Sequence, residues 1–204
     1  MLAVALPDGR LRLVWNDRLA LLRKENLVSK NDPPPISKLP VSHESGGIPA
    51  GRWRQEGGTY IGESRTGWQV CDLGVGADNV EIEAFVTLLS GVAGGLAFRP
   101  NGQQDWATSD SVIALDAADQ CVFATSLPLF FAPYGQGRRS HPVEHGKRYH
   151  VRVCIRQPRY EVFIDDILVV QTALTGAQIG SPTVGLFVDR GCVQVSELTV
   201  HRLE

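Results

Sequence analysis

The sequence has no C-x-x-C pair, no basic excess and no long apolar run, and each absence removes a class of function. Its four cysteines, Cys71, Cys121, Cys154 and Cys192, stand far apart, which excludes zinc ribbons and thioredoxin-type motifs. Each falls in or beside an expected strand and reads as a buried or half-buried free thiol. A disulfide between distant strands is not implied. A net charge of -2 at pH 7 supplies no surplus of cations for a phosphate backbone, so nucleic acid is not an expected partner. No apolar run approaches the length of a transmembrane helix, so a membrane partner is not expected either. The opening MLAVALPDGRLRLVW has no basic n-region and no continuous apolar h-region, which argues against a signal peptide; with Met1 as the true start the chain is expected in the cytoplasm.

Several catalytic signatures are missing too. There is no Ser-centred elbow, no P-loop and no dinucleotide fingerprint. The glycines of GVAGG (91–95) join two strand-like runs and lead no helix, so they read as a hairpin turn. His43, His141, His145, His150 and His201 are dispersed. His141 and His145 are separated by Pro142, with Gly146 following, so they do not share a helical face for a metal.

What is present is alternation. In YHVRVCIRQPRYEVFIDDILVVQT (149–172), Tyr149, Val151, Val153 and Ile155 fall on one side of an extended strand, and His150, Arg152, Cys154 and Arg156 on the other. Tyr160, Val162 and Ile164 repeat the pattern after Pro158, which cannot donate to a ladder. Asp165-Asp166 reads as a two-residue turn into a third run. Similar runs recur at 66–73, 79–89, 93–99, 111–117, 121–127, 129–132, 183–189 and 192–202. Val80, Ile82, Ala84, Val86 and Leu88 line one face of the longest, and Leu96 and Phe98 continue that core. Many short strands with regular turn signals predict an all-β sandwich. At 204 residues the chain can bury such a core without metals or disulfides.

The first residues differ. Leu11 to Trp15 reads as a strand. Asp17 to Glu25 reads as a short helix capped by Asn16 or Asp17, with Leu19, Leu22 and Leu21 forming a stripe that must bury against something. NDPPPISKLP then reads as an extended linker. The expected division is an arm of strand, helix and linker at 1–49 and a β-sandwich at 50–204.

Three pieces carry a family resemblance: GRWRQEGGTYIG (51–62), VEIEAFVTLLSGVAGGLAFRP (80–100), and the 149–172 meander followed by GSPTVGLFVDRGCVQVSELTVHRL (180–203). In this order they resemble the concanavalin A-like lectin/glucanase jelly roll. They are most similar to the C-terminal β-sandwich of levanases and fructosidases, glycoside hydrolase family 32. The segment DGRLRLVWNDRLALLRKE resembles the connector that leaves the catalytic propeller of those enzymes. The resemblance implies a jelly-roll sandwich without the propeller's catalytic acids. It implies a non-catalytic, carbohydrate-associated module with a stabilising or sugar-binding role, whose partners are a carbohydrate or an upstream catalytic domain. Contacts between copies in a homo-oligomer fit the same role. The stripe on 17–25 favours the fused setting. The E-x-D-x-x-E strand of jelly-roll glucanases is absent.

Two candidate sites follow. In RPNGQQDWATSD, Trp106 can stack on the apolar face of a sugar while Arg99, Asn101, Asp105 and Asp110 bond its hydroxyls; the competing role is edge packing or contact with another domain. The same carboxylates could hold calcium with carbonyl help, but no D-x-D-x-D-G loop is present, so no cofactor is expected. Glu81 and Glu83, two apart on a strand, point the same way, and paired carboxylates are what glycoside hydrolysis needs. The competing expectation is that they decorate a solvated outer face. The alternatives to a module are therefore a free-standing lectin-like binder and a glycoside hydrolase using Glu81 and Glu83. Finally, PLFFAPYG (128–135) is apolar and aromatic and is expected to pack at the core or an edge; exposed, it would be an interface patch.

Overall fold

The computed structural model describes residues 2–5, 7, 11–36, 41–42, 51–99, 111–126, 137–157, 159–173 and 183–204. It is built almost entirely of strands: β1 (Leu2–Ala5), β2 (Leu11–Val14), β3 (Arg23–Val28), β4 (Val41–Ser42), β5 (Gly51–Glu56), β6 (Thr59–Gly76), β7 (Val80–Arg99), β8 (Ser111–Asp116), β9 (Cys121–Ser126), β10 (Gly137–Ser140), β11 (Arg148–Arg156), β12 (Arg159–Ile164), β13 (Ile167–Ala173) and β14 (Thr183–Leu203). All pairings are antiparallel.

Three long strands, β6, β7 and β14, run through both layers of a sandwich. Their first or last halves make one layer in the order β13-β12-β11-β7-β14-β6-β5. Their other halves make the second layer in the order β10-β9-β8-β7-β14-β6-β4. Val80, Ile82, Ala84, Val86 and Leu88 on the first layer share one buried cluster with Leu96, Ile113, Leu115, Val122 and Leu186 on the second. Strict alternation over these strands is what turns a sequence pattern into two apposed apolar faces.

The strands bend between layers where β7 and β14 cross. Gly91 is the register partner of Gly191. Gly91 has φ +92, and a Cβ there would lie 2.0 Å from the Arg190 carbonyl oxygen; one on Gly191 would lie 2.1 Å from that of Ser90. Both expected strand pairs, 79–89 with 93–99 and 183–189 with 192–202, are therefore single continuous strands. GVAGG is a bend inside β7 rather than a hairpin turn. Glycine signals a close backbone approach as well as it signals a reversal, and only the register distinguishes the two.

The Asp165-Asp166 turn is as expected. Both residues have positive φ, 50 and 61, the backbone of a tight hairpin. The Asp165 side chain accepts the His150 N–H at 3.0 Å, and the Asp166 carbonyl accepts the Trp15 N–H at 2.8 Å.

The stretch 17–25 departs from the expected helix. Residues Asp17–Leu22 form a short 3-10 helix, with Asn16 Oδ1 accepting the Arg18 N–H as its cap. From Arg23 the chain becomes β3 and pairs with the end of β14. Pairing along an open sheet edge outweighs the modest helix preference of Arg, Lys and Glu. Leu19 and Leu22 find their partners in this same chain: they pack with Trp15, Cys154, Phe163 and Leu203 on the outer face of the first layer. Leu21 remains exposed, as do Leu2, Val4, Leu11 and Leu13 on the β1–β2 hairpin. The expected strand at 129–132 and the apolar stretch 128–135 lie outside the described residues. The four cysteines are free, three of them buried and Cys192 partly so.

Candidate functional site

Glu81 and Glu83 sit on the outer face of β7, opposite Cys154 and Arg152 of β11. That face is partly covered: Glu83 remains partly exposed while Glu81 is buried. Glu81 has no exposed surface at all, because the Trp15 arm and Arg23 of β3 lie over it. Arg23 donates through Nε to Glu81 Oε2 at 2.9 Å and through Nη2 to both Glu81 Oε1 and Glu83 Oε2. Arg152 lies 3.5 Å from Glu81 and 3.3 Å from Glu83, and donates to Asp166 Oδ1 at 2.7 Å. His150 Nε2 sits 2.9 Å from Glu83 Oε1. The His150 hydrogen bond, followed by the nearby Arg152 charge, pulls the Glu83 carboxyl down to about 2.

That arrangement has a chemical consequence. Glycoside hydrolysis requires one carboxyl whose pKa is raised so that it can donate a proton to the leaving oxygen. Glu83 is moved the opposite way, and Glu81 is committed to two arginines. The two carboxylates are held in an ion-pair network with Arg23, Arg152 and His150. His150 and Arg152 were legible as outer-face residues; Arg23 was not, because a helix over 17–25 would have carried it elsewhere.

Beside this network the outer face opens into a groove of about 590 Å³. Its walls include Asn79, Arg156, Gln157, Arg159, Glu161 and Glu204. A smaller pocket of about 140 Å³ adjoins it, sharing Cys154, Arg156 and Glu161, with Trp15, Leu19, Leu22 and Leu203 as an apolar wall. Burial pushes the Cys154 thiol up to about 12, so the shared floor is a neutral, unreactive thiol.

The outer face of the second layer carries a transverse row, Trp68, Asp189, Ala93, Asp116 and Cys121, in register across five strands. Trp68 and Phe187 are buried there beside Ala93, Ala97 and Ala114. Burial raises the Asp116 carboxyl, but its Oδ1 accepts the Asp119 N–H at 2.9 Å and holds the β8–β9 turn. Asp189 accepts from Arg190 Nη2 at 2.9 Å. Of the sequence-predicted sugar residues, Arg99 ends β7 opposite Thr183 of β14. Asn101, Asp105, Trp106 and Asp110 belong to the connection from β7 to β8 and lie outside the described residues. Among the described residues no group of three or more His, Cys, Asp or Glu is placed to hold a metal ion.

No family model matches the sequence, and no curated protein matches it. Solved structures do. The carbohydrate binding module CBM66 from Bacillus subtilis superposes with a TM-score of 0.64 at 19% identity, over 74% of this chain and 91% of that one. The carbohydrate recognition domain of Emp46p, in its potassium-bound form, gives 0.57 at 12% identity, over 91% and 97%. The laminarinase catalytic domain from Thermotoga maritima gives 0.55 at 12% identity, over 74% and 80%. Together with the strand order, these likenesses establish the concanavalin A-like jelly-roll fold.

Proposed function

We propose that the protein is a non-catalytic carbohydrate-binding module. The observation that carries this reading is the state of Glu81 and Glu83. On a fold shared with binding modules and glucanases alike, the paired carboxylates are locked to Arg23, Arg152 and His150, and the acid a hydrolase needs is not among them. The kinship in fold with a carbohydrate binding module and a carbohydrate recognition domain supports sugar as the ligand. In this reading the β7–β8 connection holds the sugar: Trp106 stacks on the ring, and Arg99, Asn101, Asp105 and Asp110 bond hydroxyls. The finer setting we propose is the C-terminal side of a fructan-hydrolase-like enzyme. The exposed apolar residues of the β1–β2 hairpin, Leu2 and Leu11 foremost, suit contact with such a catalytic domain.

Affinity electrophoresis through gels containing levan, inulin, β-glucan or arabinoxylan tests it. The expected result is retardation by levan or inulin, lost in Trp106→Ala, with no reducing ends released. Release of reducing ends that Glu83→Ala abolishes would replace the module with a hydrolase. Retardation by no polymer would leave only the structural role.

A further inference from the structure

We propose that the groove beside the β11–β12 hairpin, together with the smaller pocket under the Trp15 arm that adjoins it, is a second binding site, separate from the β7–β8 connection, and that it takes a saccharide bearing a carboxylate, a uronate.

The argument begins with two arginines. Arg156 and Arg159 are register partners at the mouth of the hairpin, where like charges directly opposite each other are destabilising. Both are exposed, and neither has an ion pair or hydrogen bond among the described residues. Of the nearby carboxylates, Glu161 accepts from Gln171 Nε2 through one oxygen at 2.8 Å, and Glu204 pairs with Lys24 at 3.1 Å. Two guanidinium groups with no ion pair or hydrogen bond among the described residues therefore border the groove. Gln157 beside Arg156 is anchored, its N–H donating to Asn79 Oδ1 at 3.1 Å and its Nε2 donating to the Asp78 carbonyl at 3.0 Å. A planar guanidinium fork matches a carboxylate through two parallel hydrogen bonds.

The remaining walls decide what bears that carboxylate. In the adjoining pocket Trp15, Leu19 and Leu22 supply an apolar surface next to Arg156, with the buried Glu81, already paired with Arg23, at its floor. Asn79 and Glu161 supply hydroxyl-bonding oxygens. A sugar ring has an apolar C–H face and a rim of hydroxyls, and so fits both walls at once. Glu161 beside Arg156 opposes a multiply charged anion such as phosphate. It accepts a hydrogen bond from a neutral ring hydroxyl without that cost. At about 590 Å³ the groove is of the size that takes small ligands.

Calorimetric titration of the full chain with trigalacturonate, trimannuronate and neutral maltotriose tests the site. The expected result is binding of at least one uronate trimer and none of maltotriose. A variant carrying Arg156→Gln and Arg159→Gln should bind the uronate about tenfold more weakly or worse. Both side chains are exposed, so an unchanged melting temperature would show that the variant is folded. Trp106→Ala should leave uronate binding unaltered, which separates this site from the one in the β7–β8 connection. Three results would overturn the proposal: no binding of either uronate, equal binding by the double variant, or displacement by inorganic sulfate as effective as by free galacturonate.

Discussion

The guanidinium of Arg152 lies 4.2 Å over the ring of Trp15, and the indole also meets Phe163 edge-on, with ring centroids 5.2 Å apart. These two contacts fasten the N-terminal arm to the outer face of the first layer. They also help keep Glu81, at the centre of the ion-pair network, out of water, which strengthens its charge interactions.

Trp15→Ala should therefore cost more than its area. Losing a buried Trp removes about 3 kcal/mol or more, and the cation–π contact adds about 1 kcal/mol. Urea unfolding of the variant should show a lower midpoint by the corresponding amount. A loss below about 1 kcal/mol would mean that the arm is peripheral to the fold.

The network predicts acid sensitivity with a definite sign. The Glu83 carboxyl falls from an ordinary 4.5 to about 2 in the folded protein, through its hydrogen bond to His150 and the charge of Arg152. A carboxyl lowered on folding contributes stability that is fully present above its unfolded value and is lost as pH falls toward the folded one. Urea stability should accordingly drop from about pH 5 to about pH 2, with about 1–2 kcal/mol of the drop traceable to this group. Glu83→Gln should be less stable than the parent at pH 6 and lose that much less on acidification. Parallel pH profiles for the two proteins would remove Glu83 from the account.

Much of this fold was legible in the sequence. Period-two alternation located the inner faces of β7, β11 and β12, because a strand buried on one side must alternate. Asp165-Asp166 marked its turn through residues that tolerate positive φ. What was not legible depends on partners distant in the chain. Nothing in GVAGG says that the Arg190–Gly191 backbone will press against it, so a bend reads as a reversal. Nothing in RKENLV says that β14 will offer a free edge, so the start of β3 reads as helix. The site followed the same rule. The outward side of β11 was visible, but whether Glu81 faced water or Arg23 depended on where the arm came to rest.

The β7–β14 crossing should be the least forgiving point in the backbone. At Gly91 an added methyl collides with the Arg190 carbonyl at 2.0 Å and φ is +92. Gly91→Ala should destabilise by about 3 kcal/mol or more, combining the clash with left-handed strain. Gly57 makes the control: its φ is +54, yet nothing lies within 4 Å of the place an added methyl would take. Gly57→Ala should cost only about 1 kcal/mol. Thermal melts of the two variants side by side measure the difference, and equal costs would mean that the layers shift to admit the methyl.

Thiol reactivity reports whether the arm stays down. Burial pushes the Cys71 and Cys154 thiols up to about 12, and Cys121 is both buried and raised. At about pH 8 almost none of Cys71 or Cys154 is thiolate, and all three buried thiols offer little surface to an aromatic disulfide reagent. Cys192 is partly exposed. Titration with such a reagent should consume one thiol in the native protein and all four in urea. Cys154 is the informative exception. It lies under Trp15 and Leu203, so a second thiol that reacts in the native state and maps to Cys154 would show the Trp15 arm lifting from the sheet. Such opening would expose Glu81 at the same moment, and Trp15→Ala should then accelerate the modification of Cys154 while leaving that of Cys71 unchanged.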